Sequence, residues 1–220
     1  MTTEESFVPI QMEAWPRAQL FYYYTKIAPT SYTVDVMMDV TVLRKELKRR
    51  GLKFFPAYLW LMTSTIGGIE ELRVGAKDGV LGYWKQLTPA YPQFHEDDKT
   101  TSLLWTEYHD SFSVFYENYI KDTKEYAPSH GIVSAKGIPL PNAYVISCIP
   151  WFTFQSFSLH NHGIKDYYFP SFEAGKFVEA DGKTLMPLSV TVHHATTDGY
   201  HLKQLFEKLQ DGMNHPVGWL

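Results

Sequence analysis

Apolar residues recur along the chain at two spacings, one typical of strands and one typical of helices. Across residues 31–40 the apolar positions alternate with polar ones, which predicts a strand with one face in the core. After Gly199, four apolar residues spaced i, i+3, i+4 and i+7 predict an amphipathic helix. These residues are Leu202, Leu205, Phe206 and Leu209.

Four further helices are predicted from start and stop signals. A short helix begins at Pro16-Arg17 and carries a cluster of tyrosines. A second helix is capped by Thr41 and ends at Gly51 after a basic turn. A third begins at Pro56 and is buried, and a fourth spans residues 103–119 with its aromatic residues on one face.

Turn signals and short apolar runs predict a sheet. Asp78-Gly79 and Asp181-Gly182 each separate two strand-like runs and predict hairpins. Residues 121–142 hold three prolines and two glycines and predict a long loop. The remaining predicted strands cover residues 144–149, 152–159, 175–178 and 185–192. No repeat or linker divides the chain, so we predict one domain over residues 1–220, an α+β two-layer sandwich with a mixed β-sheet covered by helices.

The composition excludes several classes of protein. Hydrophobic residues make up 45% of the 220 residues and charged residues 20%, which is not the composition of a disordered chain. A net charge of −4 does not favour an electrostatic nucleic-acid binder. The one cysteine, Cys148, excludes a disulfide framework within the chain and a cysteine-based zinc site.

Two further features bear on location and ligand. The first residues are acidic and polar, unlike a signal peptide, and the longest apolar stretch, around residues 57–66, is too short to span a bilayer. We therefore expect a cytoplasmic protein with no membrane partner. Aromatic residues reach 16%, which favours core and interface packing, with a pocket for a flat small molecule as the alternative.

Residues 188–201 combine several chemically active side chains. An apolar strand runs directly into His193 and His194, followed by Asp198-Gly199 and an amphipathic helix. A side chain at the end of a strand is held by the sheet and still projects into a loop region, which suits a reactive group.

Three interpretations of this segment are open. The histidines can be edge-strand residues with Asp198 as a helix N-cap, which leaves the pair of histidines unexplained. A metal site formed by His194, Asp198 and His201 is disfavoured because the helical HExxH pattern is absent. One histidine can be a general base, because imidazole exchanges protons near neutral pH.

At these residues the sequence resembles a known family. His194 to Gly199 reads HATTDG, which is similar to the HxxxDG signature of chloramphenicol acetyltransferases and of dihydrolipoyl acyltransferase catalytic domains. The doubled histidine and the following Tyr200-His201 favour the chloramphenicol acetyltransferase branch. Further matches follow in order: Trp15-Pro16-Arg17, Lys53 to Pro56, Glu71-Leu72-Arg73, Phe94-His95, Ser147 to Trp151 and Leu185 to Leu188. The resemblance implies the CoA-dependent acyltransferase fold.

The resemblance also implies a reaction and its catalytic residues. The acetyl group of acetyl-CoA passes directly to a hydroxyl of chloramphenicol in a ternary complex, without a permanently bound cofactor or a metal. His194 matches the general base, and Ser147 matches the donor to the oxyanion. Asp198 matches a carboxylate that pairs with Arg17 and holds the active-site loop.

The same resemblance implies binding residues and an assembly. Coenzyme contacts are expected from Lys53, Lys176 and Trp151, although both lysines can equally be solvated surface residues. The acceptor pocket is expected to include Tyr24, Val145, Phe157, Leu159, Tyr167 and Glu173. The family is a homotrimer in which each active site lies between two subunits.

Three positions depart from the family's pattern. Val145, Pro92 and Glu173 stand where better-known members carry Asn, Thr and Thr. These changes leave the base, the oxyanion donor and the ion pair in place, so the reaction type is better supported than the acceptor. A different alcohol, a thiol, or a protein that sequesters a drug without catalysis are the alternatives.

Overall fold

The computed structural model describes residues 6–160 and 166–220, which form five α-helices and ten strands. The helices are α1 (Ala18–Tyr22), α2 (Thr41–Arg50), α3 (Phe54–Gly67), α4 (Phe112–Glu125) and α5 (Gly199–Asn214). The strands are β1 (Phe7–Pro9), β2 (Ser31–Asp39), β3 (Val74–Lys77), β4 (Val80–Trp84), β5 (Thr88–Phe94), β6 (Thr101–Trp105), β7 (Ala143–Ile149), β8 (Ser171–Gly175), β9 (Val178–Ala180) and β10 (Lys183–His193). A π-helical turn, Tyr23–Ile27, continues α1 directly.

The larger sheet has seven strands and is mixed. Its order is β2-β10-β8-β7-β5-β6, and β9 pairs with the beginning of β10. Strands β5, β7 and β8 run parallel to one another, whereas β2, β10 and β8 pair in antiparallel fashion. A second sheet of three strands has the order β1-β4-β3. The predicted mixed sheet with helices is confirmed.

One face of the larger sheet belongs to the core. Val36 and Leu188 lie opposite each other across β2 and β10, and the row continues through Ala174 to Cys148. These side chains pack in one cluster with buried residues of α3 and α5. Helix α3 is buried nearly all round, as its continuous run of apolar residues predicts.

The opposite face of the sheet carries a polar row that runs across four strands. Asp35 pairs with Ser189, Ser189 pairs with Glu173, and Glu173 pairs with Ser147. Residues in direct register on neighbouring strands point to the same side of a sheet. We call these four residues the polar row.

Several predicted elements are confirmed. Strand β2 covers the alternating segment, and α5 buries Leu202, Leu205 and Leu209. Both Asp-Gly pairs form tight turns between strands, with positive φ at both residues as a type I′ turn requires. Gly51 has a φ of 68° and ends α2 in the left-handed conformation.

The starts of α1, α2 and α3 differ from prediction by one or two residues, and α1 begins at Ala18. Thr41 is the first residue of α2 rather than its cap, because the Asp39 carboxylate accepts hydrogen bonds from both its N–H and its hydroxyl. Pro56 is the third residue of α3, a position that still lies within the first turn, where the missing N–H costs little.

The predicted helix over residues 103–119 is wrong in its first half. Strand β6 pairs with β5 there, and α4 begins at Phe112, after Ser111. The burial of Ser102 and Leu104, with more open positions between them, is the period-two pattern of a strand. Because α4 continues to Glu125, the predicted loop over 121–142 is shorter than expected.

The predicted strand over residues 152–159 is also wrong. The N–H of Phe157 donates to the Asp35 carboxylate at 3.2 Å, and its carbonyl accepts a hydrogen bond from the Ser189 hydroxyl. Strands β8 and β10 are already paired on both sides, so this segment finds no free edge between them. The predicted strand over 175–178 is divided between the end of β8 and the start of β9.

No helix in the described part of the chain is long and apolar enough to cross a membrane.

Candidate active site

The loop between β10 and α5 is fixed at both of its ends. At its start, the N–H of His194 donates to the Thr30 carbonyl at 2.9 Å. At its end, Asp198 is the N-cap of α5, and its carboxylate accepts from the N–H of Tyr200 at 3.1 Å. The N–H of Asp198 donates to Nδ1 of His201 at 3.1 Å. This capping arrangement satisfies donors at the start of a helix that would otherwise lack partners.

An ion pair connects this loop to the N-terminal part of the chain. Nη1 of Arg17 lies 2.8 Å from Oδ2 of Asp198, with side-chain exposures of 12% and 34%. Nη2 of Arg17 also donates to the His194 carbonyl at 3.4 Å. Burial by itself raises the pKa of Asp198, but the hydrogen bond from Arg17 and the charges of His201 and Arg17 outweigh it and hold the pKa below its usual value. Asp198 therefore stays ionised and paired with Arg17.

The His194 ring is oriented by a hydrogen bond at one of its two nitrogens. Its Nδ1 lies 3.2 Å from the Thr197 carbonyl. A carbonyl oxygen only accepts hydrogen bonds, so Nδ1 carries the proton in this arrangement and Nε2 holds a lone pair. The ring stacks on Tyr24 with centroids 4.1 Å apart, and Tyr32 meets it edge-on at 5.1 Å.

His193, the other member of the pair, has a structural role. Its Nδ1 accepts a hydrogen bond from the N–H of Ala195 at 3.1 Å, and its ring packs edge-on against Tyr168. Burial, together with the nearby charge of His194, lowers the pKa of His193, so its neutral form is favoured. The two adjacent histidines, both half-buried, therefore differ in their hydrogen bonds: Nδ1 of His193 accepts from the backbone, whereas Nδ1 of His194 donates to it.

Ser147 and Glu173 lie next to each other in the polar row. Glu173 is only 2% exposed, and neither of its carboxylate oxygens accepts a hydrogen bond from the residues that the structure describes. Burial raises the pKa of Glu173 to about 7, the Ser171 hydroxyl opposes this shift, and the charge of Asp35 reinforces it. Burial makes the ionised carboxylate costly in such a place, so the neutral acid is far more populated at neutral pH than in an exposed glutamate.

The three residues expected to contact the coenzyme lie close together. Phe54 and Phe177 pack edge-on at 4.9 Å, which brings their neighbours Lys53 and Lys176 to the same region. The N–H of Lys176 donates to the carbonyl of Phe152, the residue that follows Trp151. Both lysines and Trp151 are exposed and accessible to a ligand.

The residues expected in the acceptor pocket are distributed over two places. Tyr24 lies against His194, as described above. The hydroxyl of Tyr167 accepts from the N–H of Val145 at 3.3 Å, and Phe157 covers Asp35 and Ser189 in the polar row. Leu159 is half-buried in the segment that follows Phe157.

Within one chain, His194 and Ser147 are far apart. Ser147 is in register with Ser189 through Glu173, and His193 lies four residues beyond Ser189. At strand spacing this separation is about 13 Å along β10 and about 10 Å across the two intervening strand pairs. A hydroxyl and an imidazole at this separation do not contact the same reacting atom.

Sequence reasoning missed three groups that hold the loop. Tyr32 lies beside the His194 ring because β2 pairs with β10 up to Ser31 opposite His193. The Thr197 carbonyl sets the proton position on His194, and Oε1 of Glu71 lies 3.4 Å from Nε2 of His201. A backbone carbonyl leaves no signal in a sequence, whereas Glu71 belongs to one of the motifs that carry the family resemblance.

Solved structures show which class of protein has this fold. A chloramphenicol acetyltransferase superposes with a TM-score of 0.79 at 20% identity, covering 94% of this chain and 99% of its own. The dihydrolipoamide acetyltransferase of Azotobacter vinelandii superposes with a TM-score of 0.66 at 15% identity, covering 90% of this chain and 86% of its own. The fold is therefore that of the CoA-dependent acyltransferases, as predicted.

The sequence comparisons define the family within this class. The family model for chloramphenicol acetyltransferase matches residues 5–210. A chloramphenicol acetyltransferase of Clostridium perfringens is 35% identical over 212 residues, which is 96% of each chain. One of Staphylococcus aureus is 34% identical over 216 residues, covering 98% of this chain and 99% of its own. This chain belongs to the chloramphenicol acetyltransferase family and is an acyltransferase.

Proposed function

We propose that this protein transfers the acetyl group of acetyl-CoA to a hydroxyl of chloramphenicol, with His194 as the general base. The observation that carries the proposal is the hydrogen bond of Nδ1 of His194 to the Thr197 carbonyl, which leaves Nε2 with a lone pair in a loop held by Arg17, Asp198 and the start of α5. Acetyl-CoA is a metabolite of the cytoplasm, so we infer that the protein acts there. Acetylation of the antibiotic would inactivate it, which is a resistance function.

The proposed reaction needs no covalent enzyme intermediate. Nε2 of His194 takes the proton of the acceptor hydroxyl while its oxygen attacks the thioester carbonyl carbon. The electron pair of the carbonyl moves to its oxygen, and the Ser147 hydroxyl donates a hydrogen bond to this oxyanion. When the tetrahedral intermediate collapses, the carbon–sulfur bond breaks, and the departing thiolate recovers the proton from His194 as free CoA.

Cys148 is a poor candidate for a nucleophile that would carry the acetyl group. It neighbours Ser147 on β7, so the two side chains point to opposite faces, and Cys148 packs against the core. Burial raises the pKa of its thiol to about 11. The reactive species of a cysteine is the thiolate, which is scarce at neutral pH under these conditions.

The separation of His194 and Ser147 supports an active site between two subunits of a homotrimer. One subunit would supply the His194 loop, and its neighbour would supply Ser147, the rest of the polar row and the coenzyme residues Lys53, Lys176 and Trp151. The end of the sheet near Ser147 also exposes large apolar side chains, among them Met37 at 48%, Trp151 at 59% and Phe152 at 54%. Exposed apolar groups of this kind are typical of surfaces that another subunit covers.

Glu173 favours a second candidate, acetyl transfer to a different alcohol. A buried carboxyl group without a partner gains a hydrogen bond when an acceptor brings an N–H, hydroxyl or ammonium group against it. Val145 and Pro92, the other departures from the family's pattern, make the surrounding wall less polar. An alcohol that carries such a donor would be acetylated faster than chloramphenicol in this case.

The first experiment measures release of free CoA thiol from acetyl-CoA with and without chloramphenicol. Release that needs both chloramphenicol and His194 supports the proposal. If chloramphenicol gives no release, a panel of small alcohols and thiols, with and without a cationic group, tests the second candidate. A chain that binds chloramphenicol but releases no thiol with any acceptor would replace both proposals by drug sequestration.

The subunit arrangement can be tested by mixing two inactive chains. His194→Ala and Ser147→Ala chains, coexpressed in equal amounts, form hybrids in which some sites combine an intact histidine with an intact serine. Random assembly of a cyclic oligomer predicts about one quarter of wild-type activity. Coexpression of His194→Ala with the double variant is the control, since it cannot form an intact site. No recovery in the first mixture, with hybrids demonstrated by mass, would show that each site lies within one chain.

A further inference from the structure

Three potential metal ligands converge at a place remote from the His194 loop. His95 and Asp97 lie in the turn between β5 and β6, and His130 lies in the segment after α4. One ligand atom from each of the three lies within 4.8 Å of the others. His95 is 5% exposed, whereas Asp97 and His130 reach the surface, so the group has a buried side and an open side.

The hydrogen bonds of His95 leave its Nδ1 with a lone pair. Its Nε2 lies 2.6 Å from the Ser102 hydroxyl. The single hydroxyl proton of Ser102 is already donated to the Ser129 carbonyl at 2.6 Å. Ser102 therefore accepts from His95, which places the ring proton on Nε2. A histidine that ligates a metal commonly donates its other N–H in this way.

The hydrogen bonds of His130 free its opposite nitrogen. Its Nδ1 lies 2.6 Å from Oδ2 of Asp98. The Asp98 carboxylate also accepts hydrogen bonds from the hydroxyl and N–H of Thr100, and as an acceptor it takes the Nδ1 proton of His130. Nε2 of His130 is left with a lone pair, 3.4 Å from Oδ2 of Asp97.

These contacts bring together the donor groups of a metal site and part of its supporting shell. Two ligands bound tetrahedrally to zinc are about 3.3 Å apart, which matches the separation of the Asp97 and His130 atoms. The two imidazole rings are stacked, with centroids 4.2 Å and planes 24° apart. A shared ion requires them to meet edge-first, so the partly exposed His130 ring must turn when the ion binds.

We propose that His95, Asp97 and His130 bind one Zn²⁺ ion, with Nδ1 of His95, Nε2 of His130 and a carboxylate oxygen of Asp97 as ligands. Two imidazoles and one carboxylate form a donor set that zinc accepts, with a fourth position for water. Glu96 is held in an ion pair with Lys99 and is not needed as a ligand. Such an ion would tie the β5–β6 turn to the segment after α4.

The proposal predicts that Zn²⁺ alone, added to the metal-free full-length protein, binds one ion per chain. Isothermal titration calorimetry and elemental analysis after gel filtration measure the stoichiometry. At a free concentration one hundred times Kd, the ion raises Tm by roughly 5–10 °C. Co²⁺ as a probe gives the visible absorption of a tetrahedral site.

Variants of exposed ligands test the assignment without disturbing the core. His130→Ala and Asp97→Asn should each remove the stoichiometric site and the Tm rise. Asp98→Asn, which touches the proposed site only through His130, should weaken zinc binding by about 10–100-fold. His215→Ala is the matched control, because His215 lies 3.0 Å from Asp211 in an exposed pair without a second histidine.

Two outcomes overturn the proposal. One is zinc binding that is weak, unsaturable or spread over several ions per chain. The other is a stoichiometric site that His130→Ala and His215→Ala affect equally. Acetyl transfer is not needed for either readout, so a failure of the proposed reaction would not be mistaken for a failure of the zinc site.

Discussion

The His194 loop and the part of the polar row around Ser147, here called the His194 end and the Ser147 end, differ in how their side chains are held. At the His194 end, the chain's own groups hold His194 from several sides: the Thr30 and Thr197 carbonyls, the Tyr24 ring and the Arg17–Asp198 pair. At the Ser147 end, Glu173 is buried without a hydrogen-bond partner among the described residues, and large apolar side chains are exposed nearby. The His194 end is held by its own chain, whereas the exposed apolar side chains of the Ser147 end are typical of a surface that another molecule covers.

The largest expected effect is that of removing the base. His194→Ala should lower kcat by 10²-fold or more, because general base catalysis contributes about 10²–10⁴-fold. The fold and affinity for CoA should stay nearly intact, since neighbouring groups hold the loop. Thiol release, circular dichroism and CoA titration measure these quantities. Residual activity above about one hundredth of wild type would contradict the assignment of His194 as the base.

Ser147→Ala tests the other end of the surface. Loss of a single preorganised donor to an oxyanion lowers kcat by about 10²–10³-fold with little change in KM. Cys148→Ala is the neighbouring control: its side chain faces the core, so it should affect Tm more than kcat. Equal kcat values for Ser147→Ala and wild type would remove Ser147 from the mechanism.

Arg17→Ala tests whether the ion pair holds the His194 end in place. Removing one partner of a fully buried pair costs about 3–5 kcal/mol, and the 34% exposure of Asp198 reduces this to about 2 kcal/mol. Tm should therefore fall by several degrees, and kcat should fall by about tenfold as the loop loses its anchor. Lys203→Ala, which breaks an exposed pair with Glu207, is the control. An unchanged Tm would show that Arg17 does not stabilise the loop.

The last prediction concerns Glu173 at the Ser147 end, and its effect is measured on stability rather than on turnover. The unfolded chain releases this proton near pH 4.5 and the folded chain near pH 7. The folded state therefore holds more protons in this window, and the free energy of unfolding falls as the pH rises through it. Glu173→Gln should remove this fall, which is on the order of 3 kcal/mol.

Denaturant unfolding at several pH values measures this effect. Glu207→Gln, an exposed carboxylate in the same chain, should leave the pH dependence unchanged. A wild-type profile that is flat between pH 4.5 and 7, or one that Glu173→Gln does not alter, would mean that the Glu173 side chain is solvated or paired in solution.

Periodicity predicted the elements that carry the site better than those around it. Strands β2 and β10 and helix α5 follow simple alternating or helical patterns because each buries one face against one core. The errors lie where two elements share one apolar pattern. Leu104, Tyr108 and Phe112 have helical spacing, yet the first belongs to β6 and the third begins α4.

Tertiary contacts explain what the sequence could not show about the site. The motifs named His194, Asp198 and Arg17 as a group because an ion pair and a helix cap need particular side chains, and these residues lie together in the fold. The proton position on His194 depends on the Thr197 carbonyl, which every residue possesses. The zinc ligands His95 and His130 come from separate segments, so only the fold brings them into contact.

Asp198 couples the start of α5 to the His194 loop. The same carboxylate caps α5 and anchors the His194 loop through Arg17, so fraying of the start of α5 and release of the His194 loop become one opening event. Amide protons of residues 196–202 should then exchange with solvent deuterium as a group, at a rate that parallels reversible thermal loss of activity below Tm. The enzyme would lose function by local opening of one helix end well before the sheet unfolds.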